Sequence, residues 1–327
     1  VTAHALLVPD CGPGVGLGHL ERMLALADAL SPDPTATVVV PAGDAALRRR
    51  VTERGHDAAE ADGDAVARAL TIAAHMTADV IVLDGYGFGV ATQERIRERA
   101  PLVVVDDLGH PTACDIAVNP SPGGESKPPD GAGAFLGGAA YALLSPAVVT
   151  ARAANAGRQP GDGRSVLVTT GAMDPQQLTP RVVEELLARD PVVEVVAIVG
   201  PEMDARALRE DLRLHVLVEP PTLADAMAAA TVYAGAAGTS AVQAACIGVP
   251  AVISVVAANQ RDQATALAAA GCAVVANPEE VATVCLRLLD DAPRCTRMRR
   301  AGRELVDGDG AARVADSIRR LVRIPAV

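Results

Sequence analysis

The form of the apolar runs constrains this chain most. Segments 5–8, 37–40, 80–83, 102–105 and 117–118 are almost continuously apolar, built of Val, Leu, Ile and Ala with a single Thr at 37, and do not alternate with polar residues. A strand covered on both faces reads this way, whereas a strand with one wet face alternates. Between the runs lie stretches with helical spacing, at 19–30, 44–54, 64–77 and 90–99. Strands that alternate with helices predict parallel β-α-β units. The pattern restarts at Ser165, with strands at 166–169, 195–199, 215–218, 232–233, 251–255 and 273–275. Its helices fall near 178–189, 203–211, 222–229, 239–247, 259–270 and 278–290. With 327 residues, two domains of ordinary size are expected. The expectation is an α/β chain of two Rossmann-like parallel-sheet domains facing across a cleft. The first is 1–145; a linker covers 146–164, exposed at 155–163; the second is 165–327. A final helix at 311–323 could pack on either.

Composition excludes several functions. Half the residues are hydrophobic, yet no run reaches the roughly twenty apolar residues that a membrane helix needs. No basic-then-apolar leader opens the sequence, so a soluble cytoplasmic protein is expected. The six cysteines (11, 114, 246, 272, 285, 295) form neither a Cys-x-x-Cys pair nor a zinc-spaced cluster, and are expected to be reduced and mostly buried. The net charge is −11, and residues 1–145 hold 19 acidic against 10 basic side chains. Such a surface repels nucleic acid and anionic lipid; any phosphate bound must be small and held by backbone dipoles or single arginines. Arg48, Arg49, Arg50 and Arg54 form the one basic cluster, read as a solvated helix face, with a membrane-surface role as the alternative.

In open parallel sheets, ligands sit beyond the carboxyl ends of the strands. Three polar groups fall there in the first half. The run Gly14-Val15-Gly16-Leu17-Gly18-His19-Leu20-Glu21-Arg22 turns a strand into a helix, which gathers unpaired N–H groups and the positive helix end beside an imidazole. It fits neither a Gly-x-Gly-x-x-Gly dinucleotide loop nor a Walker loop, whose lysine is missing; Lys127 is the only lysine. The other two are Asp84-Gly85-Tyr86 and Asp106-Asp107. Residues 119–135 are rich in Pro and Gly and read as a long loop. In the second half, Gly235-Ala-Ala-Gly238-Thr239-Ser240 repeats the strand, glycine loop and helix start. Ser240 and Gln243 also have the spacing of a capping box, and Asn259 suits a helix cap; both keep a structural reading beside a ligand-binding one.

The ordered set Gly16, Gly18, His19 and Arg22; Asp84-x-Tyr86; Asp106-Asp107; Gly137-Gly138 with Tyr141; Thr170-Gly171-x-x-Asp174; Gly235-x-x-Gly238-Thr239-Ser240; and Asn259-Gln260 resembles the UDP-sugar hydrolases of pseudaminic acid biosynthesis. These are GT-B superfamily members related to the GlcNAc transferase that makes lipid II. The resemblance runs from about residue 3 to 275. It implies a GT-B fold, UDP held by the C-terminal half, and hydrolysis at the anomeric carbon of a UDP-linked amino or deoxy sugar, without metal or cofactor. His19 would be the general base. Gly16, Gly18, Arg22, Asp84, Tyr86, Asp107, Tyr141, Asn259 and Gln260 would meet the sugar. Gly171, Gly235, Gly238, Thr239, Ser240 and Gln243 would meet the nucleotide.

Three departures bear on substrate. Gln243 stands where the family usually has glutamate, Ala139-Ala140 replaces a Pro-Glu pair, and 170–174 loosens a glycine pair. The rivals are a glycosyltransferase with a soluble acceptor and a noncatalytic nucleotide-sugar-binding protein. No nucleic-acid partner is expected.

Overall fold

The computed structural model describes residues 3–12, 14–157, 163–171, 174, 176–200, 203, 208, 210–218, 220 and 222–323. The chain forms two compact units, Val1–Pro146 with Gly308–Val327, and Ala147–Asp307.

The first unit is a seven-stranded sheet of β1 (His4–Pro9), β2 (Thr35–Pro41), β3 (Asp57–Ala61), β4 (Val80–Asp84), β5 (Leu102–Val105), β6 (Ile116–Asn119) and β7 (Ala134–Gly137). The order is β3-β2-β1-β4-β5-β6-β7, with every neighbour parallel. Successive residues of the apolar runs go to opposite faces, as a period of two demands. Leu7, Val82 and Val103 pack in one core with α1 (Gly18–Leu30) and α2 (Ala45–Glu53). Leu6, Ile81 and Leu102 pack in another with α3 (Ala65–His75) and α4 (Val90–Arg97). Both faces are therefore dry, and the strands read as unbroken apolar runs.

Helix α1 buries Leu20, Met23, Leu24, Leu26, Ala27 and Leu30, more than one face can cover. The second cover is α12 (Gly310–Arg323), whose Val314 and Ile318 are fully buried in the α1 core. Burial of side chains of this size is worth roughly 1.5–3 kcal/mol each. Arg319 then donates to the carbonyls of Ala29, Leu30 and Asp33, closing the end of α1. The final helix thus belongs to the first unit.

The second unit is a six-stranded parallel sheet, order β10-β9-β8-β11-β12-β13. Its strands are β8 (Ser165–Thr169), β9 (Glu194–Val199), β10 (Leu214–Val218), β11 (Val232–Ala236), β12 (Ala251–Ser254) and β13 (Ala273–Val275). Its helices are α5 (Pro146–Ala154), α6 (Leu178–Arg189), α7 (Ala224–Ala229), α8 (Thr239–Ile247), α9 (Arg261–Ala269), α10 (Val281–Leu289) and α11 (Ala292–Leu305). The helix expected at 203–211 lies largely outside the described residues.

Several elements differ from the sequence reading. Residues 146–154, read as part of a linker, form α5, because Val148 and Ala151 are buried and Arg152 donates to the carbonyls of Cys246, Arg303 and Val306. Strands β3 and β7, absent from the sequence reading, are the two sheet edges, and β3 carries the charges of Asp57 and Glu60. Helix α11 is arginine-rich yet buries Cys295, Met298 and Gly302. The basic cluster is neutralised within the first unit, Arg48 by Glu60, Arg49 by Glu53, Arg50 by Glu21 and Arg54 by Asp28. Among the described residues no helix is long and apolar enough to cross a membrane.

Candidate active site

In each sheet the strand order reverses once, between β1 and β4 and between β8 and β11. Where it reverses, the loops leave in opposite directions and open a crevice at the carboxyl ends. The residues singled out by sequence lie largely at these two points.

In the first unit, β1 and β4 are in register with Pro9 opposite Asp84, so the loop after β1 begins beside that carboxylate. Gly85 has φ +157°, and a Cβ there would stand 2.6 Å from Asp10 Cβ, which only glycine avoids. Helix α1 starts at Gly18 with Leu17 as its N-cap and no side-chain cap, leaving N–H groups of its first turn without an intrahelical partner. His19 and Arg22, three apart on one helix face, both reach Asp84.

Asp84 is fully buried. Its Oδ1 lies 2.7 Å from His19 Nδ1 and accepts from Arg22 NH2 at 2.6 Å, while Oδ2 accepts from Arg22 Nε at 3.0 Å. Arg22 NH1 donates to Asp107 at 2.9 Å, and the Tyr86 hydroxyl donates to the other oxygen of Asp107 at 2.6 Å. Burial alone would raise the Asp84 pKa, but the charge of Arg22 and the hydrogen bonds from His19 and Arg22 hold it below the ordinary carboxylate value. Burial would likewise lower that of Arg22, and Asp84 with Asp107 reverse this and raise it. The ion pair is charged throughout the neutral range.

Arg22 NH2 is also 2.7 Å from His19 Nδ1, so this nitrogen faces both an acceptor and a donor. A lone pair on Nδ1 would repel the ionised Asp84 oxygen at hydrogen-bond distance, whereas Arg22 satisfies its own donors on Asp84. The geometry therefore favours the Nδ1–H tautomer, which leaves Nε2 as an acceptor with no hydrogen-bond partner among the described residues. The Tyr86 ring stands edge-on to the imidazole with centroids 5.2 Å apart. Tyr141 is not part of this group; it ends a short 3-10 turn, Ala139–Tyr141, and packs against the core that contains α1 and α12.

In the second unit the loop after β11 is set from below. A Cβ on Gly235 would lie 1.8 Å from the Thr169 carbonyl oxygen, so this glycine, inside β11, is demanded by packing against β8. Tyr233 is fully buried, with its hydroxyl 3.1 Å from the Ala236 carbonyl and hydrogen-bonded with Ser240; burial raises its pKa and the Ser240 bond opposes. Helix α8 starts at Thr239 with Gly238 as N-cap and no side-chain cap. The capping box read for Ser240 and Gln243 is thus not formed. Gln243 Oε1 is buried with no hydrogen-bond partner.

Gln263, which the sequence reading left without a role, donates through Nε2 to the carbonyls of Ala237 at 2.7 Å and Gly238 at 2.9 Å and so pins the loop. Gln260 Oε1 accepts from Val256 N at 3.0 Å, and its Nε2 lies 3.8 Å from where a Gly238 Cβ would stand. Asn259 is exposed in the 3-10 turn Ala258–Gln260, and Gln260 stands at the N-cap position of α9. Gly171, φ +96°, is exposed just past β8. Asp174 accepts from the N–H groups of Leu178 and Thr179, so its carboxylate starts α6. Nothing in the local sequence marks Gln263, since its partners are backbone atoms of another loop.

Two parallel sheets of seven and six strands, each with its loops at a switch point, are the GT-B fold. Solved structures with the same fold include a glycosyltransferase of kitacinnamycin, with TM-score 0.71 and 19% identity over 98% of this chain and 99% of that one. Others are the spinosyn forosaminyltransferase SpnP, 0.67 and 16% over 99% and 100%, and MurG of Acinetobacter baumannii, 0.67 and 15% over 98% and 100%. No family model matches the chain. Over 207 residues it is 23% identical to the uncharacterised protein MJ1062 of Methanocaldococcus jannaschii; the match covers 60% of this chain and 42% of that protein.

Proposed function

We propose that the chain is an enzyme acting on a nucleotide sugar, and that it hydrolyses a UDP-linked amino or deoxy sugar at the anomeric carbon with His19 as general base. The observation that carries this reading is the Asp84-held His19 ring, whose Nε2 is an acceptor beside an uncapped helix start. Water would give its proton to Nε2 as its oxygen attacks the anomeric carbon; the C–O bond to the diphosphate breaks and UDP leaves with the electron pair. Asp84 then balances the imidazolium, and general-base help of this kind is worth about 10²–10⁴ in rate. In the first unit Gly16, Gly18, Arg22, Tyr86 and Asp107 would shape the sugar site, with Tyr141 at most an indirect support. Asn259 and Gln260 are the second unit's sugar-side candidates.

For the nucleotide, the candidates are Gly171, just past β8, and Gly238, Thr239 and Ser240 at the start of α8, which has no side-chain cap. The unpaired Gln243 oxygen would accept from a ribose hydroxyl, a role an amide fills with one acceptor where a glutamate has two. Gly235 supports the loop from inside β11.

A transferase is the second reading, because the solved structures of this fold named above include glycosyltransferases and the same base would deprotonate an acceptor hydroxyl. Incubation with UDP-, CMP-, GDP- and dTDP-sugars, with and without acceptor alcohols and followed by NMR, separates the two. Steady UDP release without acceptor, with inverted product, supports hydrolysis; release only with acceptor supports transfer. Tight binding without consumption sinks both.

A further inference from the structure

The first unit carries a second imidazole–carboxylate pair that the mechanism above does not use. Asp106, just past β5, accepts from the N–H of Leu108 at 2.7 Å and from the N–H of His110 at 3.0 Å, and its Oδ2 lies 2.9 Å from the His110 ring Nδ1. An ionised carboxylate can only accept, so Nδ1 carries the proton, and in the neutral ring Nε2 keeps its lone pair. This repeats the arrangement of His19 on Asp84, one strand over. His110 differs in being at the surface, with its side chain 52% exposed.

Tyr86 packs edge-on against both imidazoles, its centroid 5.2 Å from that of His19 and 6.4 Å from that of His110, with interplanar angles of 79° and 70°. Of the five aromatic residues, Tyr86 alone is exposed; Phe88 and Tyr233 are buried and Phe135 and Tyr141 are half-buried. Its hydroxyl is held on Asp107, which keeps the ring in place. Lys127, from the Pro/Gly loop, runs its side chain alongside Gly109.

A solvent-facing imidazole ordinarily samples several rotamers, and holding one costs side-chain entropy. Asp106 holds both the backbone and the ring of His110, which prepares Nε2 for a partner at little further cost. Tyr86 thus adjoins two imidazoles, each of which offers a lone pair when neutral. That suits a polyhydroxylated ring, with C–H groups against the tyrosine and O–H or N–H groups at the imidazoles.

We propose that His110, oriented by Asp106, is a second ligand-binding group of this site: its Nε2 accepts a hydrogen bond from a hydroxyl or N–H on the side of the sugar away from the carbon that reacts at His19. This rests on the nucleotide-sugar reading. It assigns His110 to substrate selection, and the chemistry at the anomeric carbon stays with His19.

The test is histidine-resolved NMR of the full chain, with ring signals assigned through His19→Asn and His110→Ala, and the UDP-, CMP-, GDP- and dTDP-sugars as probes. In the free protein His110 must show the Nδ1–H tautomer; an Nε2–H tautomer overturns the proposal before any ligand is added. On titration the His19 and His110 signals should move with one midpoint. His110→Ala should raise KM about tenfold, the size of one lost hydrogen bond, with kcat within about threefold. His110→Gln, which restores an acceptor oxygen, should recover part of it. A nucleotide sugar that moves His19 but not His110, with KM unchanged in His110→Ala, overturns this inference alone. If no nucleotide sugar moves either ring, the functional reading fails and this one falls with it.

Discussion

The carboxylate of Asp84, buried at the end of β4, stands 2.7 Å from Nδ1 of His19 at the start of α1. The contact joins residues far apart in the chain and turns Nε2 into an acceptor. His19→Asn should lower kcat about 10²–10⁴-fold, because the amide cannot take a proton. Nucleotide affinity, measured by calorimetry, should stay within a few-fold. Wild-type turnover in that variant rules out His19 as the base.

Asp84 also anchors stability. Its folded pKa lies below the unfolded value of about 3.9, so its contribution is fully present above that value and is lost as pH falls through the folded pKa. Asp84→Asn breaks a buried ion pair and should cost roughly 3–5 kcal/mol in urea melts at pH 7. The variant should also lose less stability than wild type between about pH 5 and pH 3. Equal losses over that range contradict the linkage.

The unpaired oxygen of Gln243 makes opposite predictions for the free and bound protein. Gln243→Leu removes a buried acceptor with no partner, so stability without ligand should hold or rise by about 1 kcal/mol. Affinity for UDP should fall about tenfold. A variant that loses stability and keeps its affinity shows the amide to be structural.

Gly235 and Gly238 look alike in sequence and differ in their surroundings. Gly235→Ala drives a methyl into the Thr169 carbonyl and should yield little folded protein, as read by circular dichroism and solubility. At Gly238, φ is −98° and the nearest atom to an added Cβ is 3.8 Å away, so Gly238→Ala should fold. Any loss of nucleotide binding in the folded Gly238→Ala protein then reports on the ligand site. Normal folding of Gly235→Ala is the contrary result.

All six thiols are buried, and burial pushes Cys11, Cys246, Cys272 and Cys295 up to about 11 and raises Cys114 and Cys285 as well. The thiolate is the reactive form, so a disulfide reagent at pH 8 should label none of them in the native protein and all six in guanidinium. Rapid labelling of the folded chain places a thiol at the surface.

Local sequence settled what was local. The unbroken apolar runs specify strands dry on both faces, and the glycine turn with His19 and Arg22 three apart specifies a helix start with two polar side chains on one side. The acids at 84, 106 and 107 follow from where β4 and β5 end. Edge strands β3 and β7 and the arginine-rich α11 escaped because one exposed side lets charge or proline into an element without destroying it. Tertiary structure alone decided who meets whom. Pairing of β1 with β4 puts Asp84 against His19, the unpaired second face of α1 draws in α12, and Gln263 finds the carbonyls of another loop. Periodicity encodes which face of an element is buried, and strand order, a contest among distant segments for the same dry surface, determines its neighbour.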